Sequence, residues 1–170
     1  MPRRAHRFAV APIRPSRGGG PRVLTKKAKY GLKALVHLAS GDPARLIQAA
    51  EISEVIGAPK AFLDAILLEL RNAGLIRSKK GPGGGFLLAR PAAEIRMGYV
   101  VRTLDGPIAP LPCARRKTAQ PCRDCAVVEE CEVRLLMLEV RDAIAAVLDQ
   151  TTLAEMRDQA DHALSRDYSI

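Results

Sequence analysis

All four cysteines of the 170-residue chain fall between positions 113 and 131, as Cys113, Cys122, Cys125 and Cys131 in the spacing C-x8-C-x2-C-x5-C. A thiolate is a soft, charged ligand that suits zinc, copper(I) or an iron–sulfur cluster. Four can meet at one centre only if the intervening chain is a loop. Gly106, Pro107, Pro110, Pro112 and Pro121 break regular structure before and within the stretch. A structural zinc site takes four tetrahedral ligands, often from paired C-x2-C hairpins, and only one such pair is present. A dithiol switch needs only Cys122 and Cys125, which leaves two cysteines without a role, and no βαβ pattern surrounds the pair. An iron–sulfur cluster takes four thiolates and tolerates irregular loop spacing. The residues alone leave zinc and iron–sulfur open. No Ser/His/Asp constellation or carboxylate pair is discernible, so the chain reads as a non-enzyme.

The second set of chemically capable residues is basic. Formal net charge is +9, but residues 1–22 hold six arginines and no acid, which leaves +3 for the remainder. Nucleic-acid binding must therefore be argued from where the other charges sit. Rich in Arg, Pro and Gly, residues 1–22 are expected to be a disordered basic tail. The tail is expected either to have no role, as when a start codon is placed too early, or to be drawn to phosphates. No run of about 18 apolar residues is present, so no transmembrane helix is expected. Without an apolar signal region, the clustered cysteines suggest metal or redox chemistry in the cytoplasm.

These residues need elements to hold them. Thr25 is placed to cap a helix whose apolar part is Tyr30, Leu32, Leu35, Val36, Leu38 and Ala39, with Lys26, Lys27, Lys29 and Lys33 on its wet side. His37 on this helix is expected to be satisfied or solvent-facing rather than a ligand. A short helix through Ile52 and Ile56 closes at Gly57, and a second runs from about Pro59 to Ala73 with Gly74 at its C-terminal cap. Helix, tight turn and helix make a helix-turn-helix pattern. Residues 75–78 and 86–88 read as strands around a basic, glycine-rich tip, which together form a wing. A helix over 97–105 precedes the cysteine loop (106–130). A long helix from about Cys131 to Asp149 carries the stripe Leu136, Val140, Ile144 and Val147, flanked by Val133, Met137 and Leu148. Arg134, Glu139, Arg141 and Asp142 are assigned to its wet side. So broad a stripe calls for a partner surface, best met by a second copy. Thr152-x-x-Glu155 is a capping box for a last short helix, giving a final segment over 131–164 and a frayed end from Ser165.

The run Gly74-Leu75-Ile76-Arg77-Ser78-Lys79-Lys80-Gly81-Pro82-Gly83-Gly84-Gly85-Phe86 closely resembles the wing "GL-x-x-S-x-(R/K)-G-P-x-GG-(Y/F)" of the bacterial Rrf2 family of transcription regulators. Residues 24–35 are similar to that family's first helix, and the resemblance extends from about Val23 to Leu153. It implies a mainly α fold with a small β-hairpin wing: a winged helix-turn-helix over 23–105 joined to a long C-terminal dimerisation helix. It also implies a homodimer on double-stranded DNA, with Lys26, Lys27, Lys60, Ala61, Asp64, Lys79, Lys80 and Gly81 contacting bases or backbone. A recognition helix puts its N-terminal residues against base edges, where Lys60 could donate to guanine and Asp64 accept from cytosine. The expected protein is a repressor whose operator affinity is set by a cluster sensing iron, redox or nitric oxide status. The alternatives are a zinc-stabilised regulator without sensing and a dithiol redox protein. Several positions depart from the family pattern. IscR-like members show three cysteines and a nearby histidine, but no histidine falls near Cys131. Lys29 occupies the place where NsrR-like members have an acid. Here a fourth cysteine could complete either a [2Fe–2S] or a [4Fe–4S] set. Pro59 and Lys60 replace a commoner serine-containing pattern.

Overall fold

The computed structural model describes residues 24–122 and 127–159. Cys125, the arginine-rich tail and the expected frayed end lie outside them. Three helices build the first unit: α1 (Lys26–Ser40), α2 (Ala49–Ile56) and α3 (Lys60–Asn72). The Thr25 hydroxyl accepts from the Ala28 N–H, satisfying an N–H that has no partner within the first turn of α1. Gly57 closes α2 in the left-handed conformation, at φ 65°. Gly74 does the same just past α3, at φ 69°. Leu32, Leu35 and Leu38 of α1 are buried with Ile52 and Ile56 of α2 and with Leu63, Ile66, Leu67 and Leu70 of α3. The i, i+3/i+4 spacing of each set is what gives the helices a common apolar side.

Strands β1 (Ile76–Lys79) and β2 (Gly85–Leu88) pair antiparallel, with Ile76 opposite Leu88 and Lys79 opposite Gly85. Ile47, just before α2, adds an isolated antiparallel bridge to β2 that the sequence did not announce. Its N–H donates to the Phe86 carbonyl at 2.9 Å, and the Phe86 N–H donates back at 2.8 Å. A Cβ at Gly85 would lie 2.6 Å from the Ile47 carbonyl oxygen, so only glycine lets the two backbones come this close. The wing is thereby fastened to the base of the helix-turn-helix.

After a 3-10 turn (Ala92–Glu94), α4 (Met97–Asp105) packs on α1 and α3. Gly31 of α1 faces Leu104 so closely that an added Cβ would collide with the Leu104 side chain. The Thr25 N–H donates to Asp105 at 2.8 Å, and the Thr25 hydroxyl also donates to that carboxylate. A second 3-10 turn (Pro112–Ala114) leads toward α5 (Glu132–Gln150). The end of α5 returns to α4: the Met97 N–H donates to Thr151 at 3.0 Å and the Leu153 N–H to Ile95 at 2.8 Å. Thr152 and Glu155 form the anticipated capping box, each backbone N–H donating to the other's side chain, ahead of helical residues 153–159. Among the described residues no helix is long and apolar enough to cross a membrane.

One sequence assignment is corrected on α5. Arg134 and Arg141 are not on the wet side, whereas Glu139 and the Asp142 side chain are exposed as expected. Arg141 is 8 % exposed, and Arg134 is half-buried. Residues 134, 138, 141, 145 and 148 share the face that packs on the 3-10 turn and on α4. Long arginine stems cover apolar surface as well as carry charge, so polarity alone misassigned this face. The consequence falls on the opposite side. Leu136 and Val147 of the apolar stripe, and Val133 flanking it, are 56 %, 64 % and 58 % exposed.

Candidate DNA-reading surface and cysteine loop

The start of α3 presents Lys60, Ala61 and Asp64, all exposed. Lys60 Nζ lies 2.8 Å from Asp64 Oδ2, one helical turn on. The two groups expected to read separate bases therefore neutralise each other in the free protein, and base contacts must exchange this pair. Across the turn, Lys79, Lys80 and Gly81 stand exposed at the wing tip. Gly81 (φ 97°) and Gly83 (φ 70°) take conformations that a side chain would strain. Lys26 and Lys27 open α1. Lys27 pairs with Glu69 of α3 at 2.8 Å, whereas Lys26, Lys79 and Lys80 have no ion pair among the described residues. Of the lysines expected to meet DNA, these three are free of an ion pair that phosphate contact would have to break.

His37 departs from its expected role. It is half-buried, 3.9 Å from Glu51, and its Nε2 is buried without a hydrogen-bond partner among the described residues.

In the loop, Cys113 is buried in the second 3-10 turn, Cys122 is half-buried, and Cys131 is the N-cap residue of α5 rather than part of its first turn. Burial pushes the Cys113 thiol up, and the neighbouring Cys122 adds to this; a backbone hydrogen bond opposes the shift, and Cys131 adds the smallest part. Cys113 thus feels both other described cysteines. Its own carbonyl accepts from Arg134 Nε at 3.1 Å, which joins the loop to α5. Among the described residues no three His, Cys, Asp or Glu side chains are gathered to hold a metal ion. In kind the donor set fits a thiolate-held group: three sulfurs on one loop, one of them buried and sensing the other two, beside a fourth in sequence.

The sequence reading missed the arginines of this region. Arg134 anchors the Cys113 carbonyl, while Arg116 and Arg141 converge on Asp142. The signal was the shared helical face of positions 134, 138, 141 and 145 together with the basic run Arg115-Arg116-Lys117.

Residues 24–159 match the Rrf2 family, described as an iron-dependent transcriptional regulator. The chain belongs to the Rrf2 family. A Rhodobacter capsulatus regulator of the helix-turn-helix type, named rrf2-like, is 40 % identical over 137 residues, covering 79 % of this chain and 91 % of that protein. The regulator CymR of Bacillus subtilis is 30 % identical over 138 residues, covering 81 % and 91 %. The solved structure of CymR, the global cysteine regulator of B. subtilis, matches with a TM-score of 0.65 at 29 % identity, over 80 % of this chain and 96 % of that one. An IscR structure from T. potens matches at 0.64 with 27 % identity, over 82 % and 89 %. The protein is thus a winged-helix transcription regulator of the Rrf2 family, with relatives that are regulators rather than enzymes.

Proposed function

We propose that this Rrf2 regulator acts as a homodimeric repressor that reads DNA with α3 and the wing, and that Cys113, Cys122, Cys125 and Cys131 hold an iron–sulfur cluster controlling that reading. The observation that carries it is the position of Cys113. Its thiol is buried beside Cys122, and its carbonyl is bound to Arg134 on α5, the helix that Cys131 caps. The family's description as iron-dependent supports the same reading. When bound, such a cluster supplies a redox-active and nitric-oxide-reactive centre. The chain's own part is mechanical. Cys113 and Cys131 would hold such a group at the two ends of the loop, and Cys131 caps α5, so a bound group would join both ends to the start of that helix. With the sulfurs released, the Arg134 bond to the Cys113 carbonyl and the Arg116–Asp142 ion pair would still tie the start of the loop to α5. Because α5 runs back to α4, and α4 rests on α1 and α3, a shift at the loop can alter the spacing of two paired readers. A coupling of about 1–3 kcal/mol is enough for an allosteric response.

Asp142 and Asp149 on α5 are engaged by arginines, which leaves the exposed stripe of Val133, Leu136 and Val147 for a second copy. Dimers of helix-turn-helix proteins place two recognition helices about one DNA turn apart.

Iron, acid-labile sulfide and zinc are to be assayed in protein purified without oxygen, with a visible spectrum. The expected result is brown protein containing iron and sulfide, lost on Cys113→Ser, and DNA affinity that differs between loaded and stripped protein. Stoichiometric zinc with no sulfide would make the loop a structural site without sensing. Equal affinity of both forms for every operator would remove the control.

A further inference from the structure

Apart from α3, the wing, the cysteines and the apolar stripe of α5, a group of cations stands on the buried side of α5. Arg102, Arg115, Arg116, Lys117 and Arg141 line one open cleft of about 550 Å³, floored in part by Ile108 and Ala145. That volume lies within the range of small-molecule sites. Two carboxylates answer the five cations. Asp149 takes both terminal nitrogens of Arg102, at 2.6 and 2.8 Å. Asp142 is shared between Arg116, at 2.9 Å, and Arg141. Arg115 and Lys117 have no ion pair among the described residues, so the cleft carries an excess of positive charge.

Arg141 is the most telling member. It is 8 % exposed, and its Nε is buried with no hydrogen-bond partner among the described residues. A buried guanidinium whose donors are not all met is costly, and native proteins meet nearly all such donors with protein, water or ligand. Arginine's fork of N–H groups matches planar carboxylate and phosphate oxygens. No described cysteine lines the cleft, so its charge is not simply a counterpart to the thiolates.

We propose that this cleft is the binding site for a small organic polyanion, a compact body bearing two or more carboxylates or phosphates. Seated there, such an anion bridges residues 115–117, in the segment joining Cys113 to Cys122, to Arg102 on α4 and Arg141 on α5. It would act as a second input on the loop, separate from the cysteines.

The test is titration calorimetry on the full-length protein with citrate and with pyrophosphate, at constant ionic strength set with sodium chloride. One anion per chain should bind with Kd below about 1 mM. The citrate and pyrophosphate arms decide whether carboxylate or phosphate is preferred. The surface double variant R115Q/K117Q, checked for native circular dichroism, should weaken binding by about tenfold or more. Lys80→Ala should leave binding unchanged. The proposal is overturned if neither anion binds, if R115Q/K117Q binds as well as the parent, or if Lys80→Ala abolishes binding, which would put the anion on the DNA surface. Iron and sulfide are assayed on the same samples. Loaded protein without binding heat would sink only the cleft, and metal-free protein with binding heat would sink only the cluster.

Discussion

Between α4 and α5, Arg102 grips both oxygens of Asp149 and holds that carboxyl below the usual carboxylate range. The hydrogen bond is the larger cause; partial burial opposes it and charge attraction adds to it. Gly98 leaves the room, since a Cβ there would collide with Asp149. The sign of the linkage follows from the direction of the shift. A carboxyl whose folded pKa is depressed stabilises above its unfolded pKa, and that contribution is lost as pH falls through the folded value. Both side chains are more than a third exposed, so water screens the pair to about 0.5 kcal/mol. Asp149→Asn should therefore lower the urea midpoint slightly at pH 7, and the gap from wild type should narrow as the pH drops below about 4. A gap that stayed constant with pH would mean the ion pair contributes nothing.

At the scale of elements, α5 has one face packed on its own chain and one exposed apolar face, the one proposed to meet a second copy. One face carries Arg134, Arg141 and Leu148 against its own chain; the other presents Val133, Leu136 and Val147 outward. Its apolar period was plain in the sequence, and so was the need for a cover. Which face met the chain's own core was not, because arginine stems and leucines can both line a packed surface. Charging the outer face tests that proposal. L136E/V147E should stay folded by circular dichroism yet sediment as a monomer. Operator affinity should then fall by about 10²-fold or more, since two linked half-site contacts become independent. A double variant that remained dimeric would place the self-association surface elsewhere.

At the scale of the whole molecule, α4 is the joint between reader and loop. It meets α1 through Leu104 against Gly31 and through Asp105 bonded to Thr25. It meets α5 through Arg102, and the chain on either side of α4 is stitched to the end of α5. Lys80 is exposed on the wing and has no ion pair among the described residues. Lys80→Ala should weaken binding to all duplexes alike and reduce the log–log salt slope by about 1 per chain, measured by fluorescence anisotropy over a salt series. An unchanged slope would remove the wing from the phosphate-contacting surface.

The sequence by itself determined the order of elements, the helix caps at Thr25, Gly57 and Gly74, the capping box at Thr152, the glycine-built wing and the family. Each of these is a local matter, set by backbone conformation or by the period of apolar residues within a few turns. Tertiary structure alone decided that Ile47 completes the wing, that Lys60 and Asp64 neutralise each other, and that Arg134 binds the Cys113 carbonyl while Arg141 lies buried. These depend on which side chains meet across the fold. Most join residues distant in sequence, and even the Lys60–Asp64 pair, one turn apart, needed the side chains' actual positions. Residue type fixes what a group can bond, but only packing fixes which partner stands within 3 Å of it.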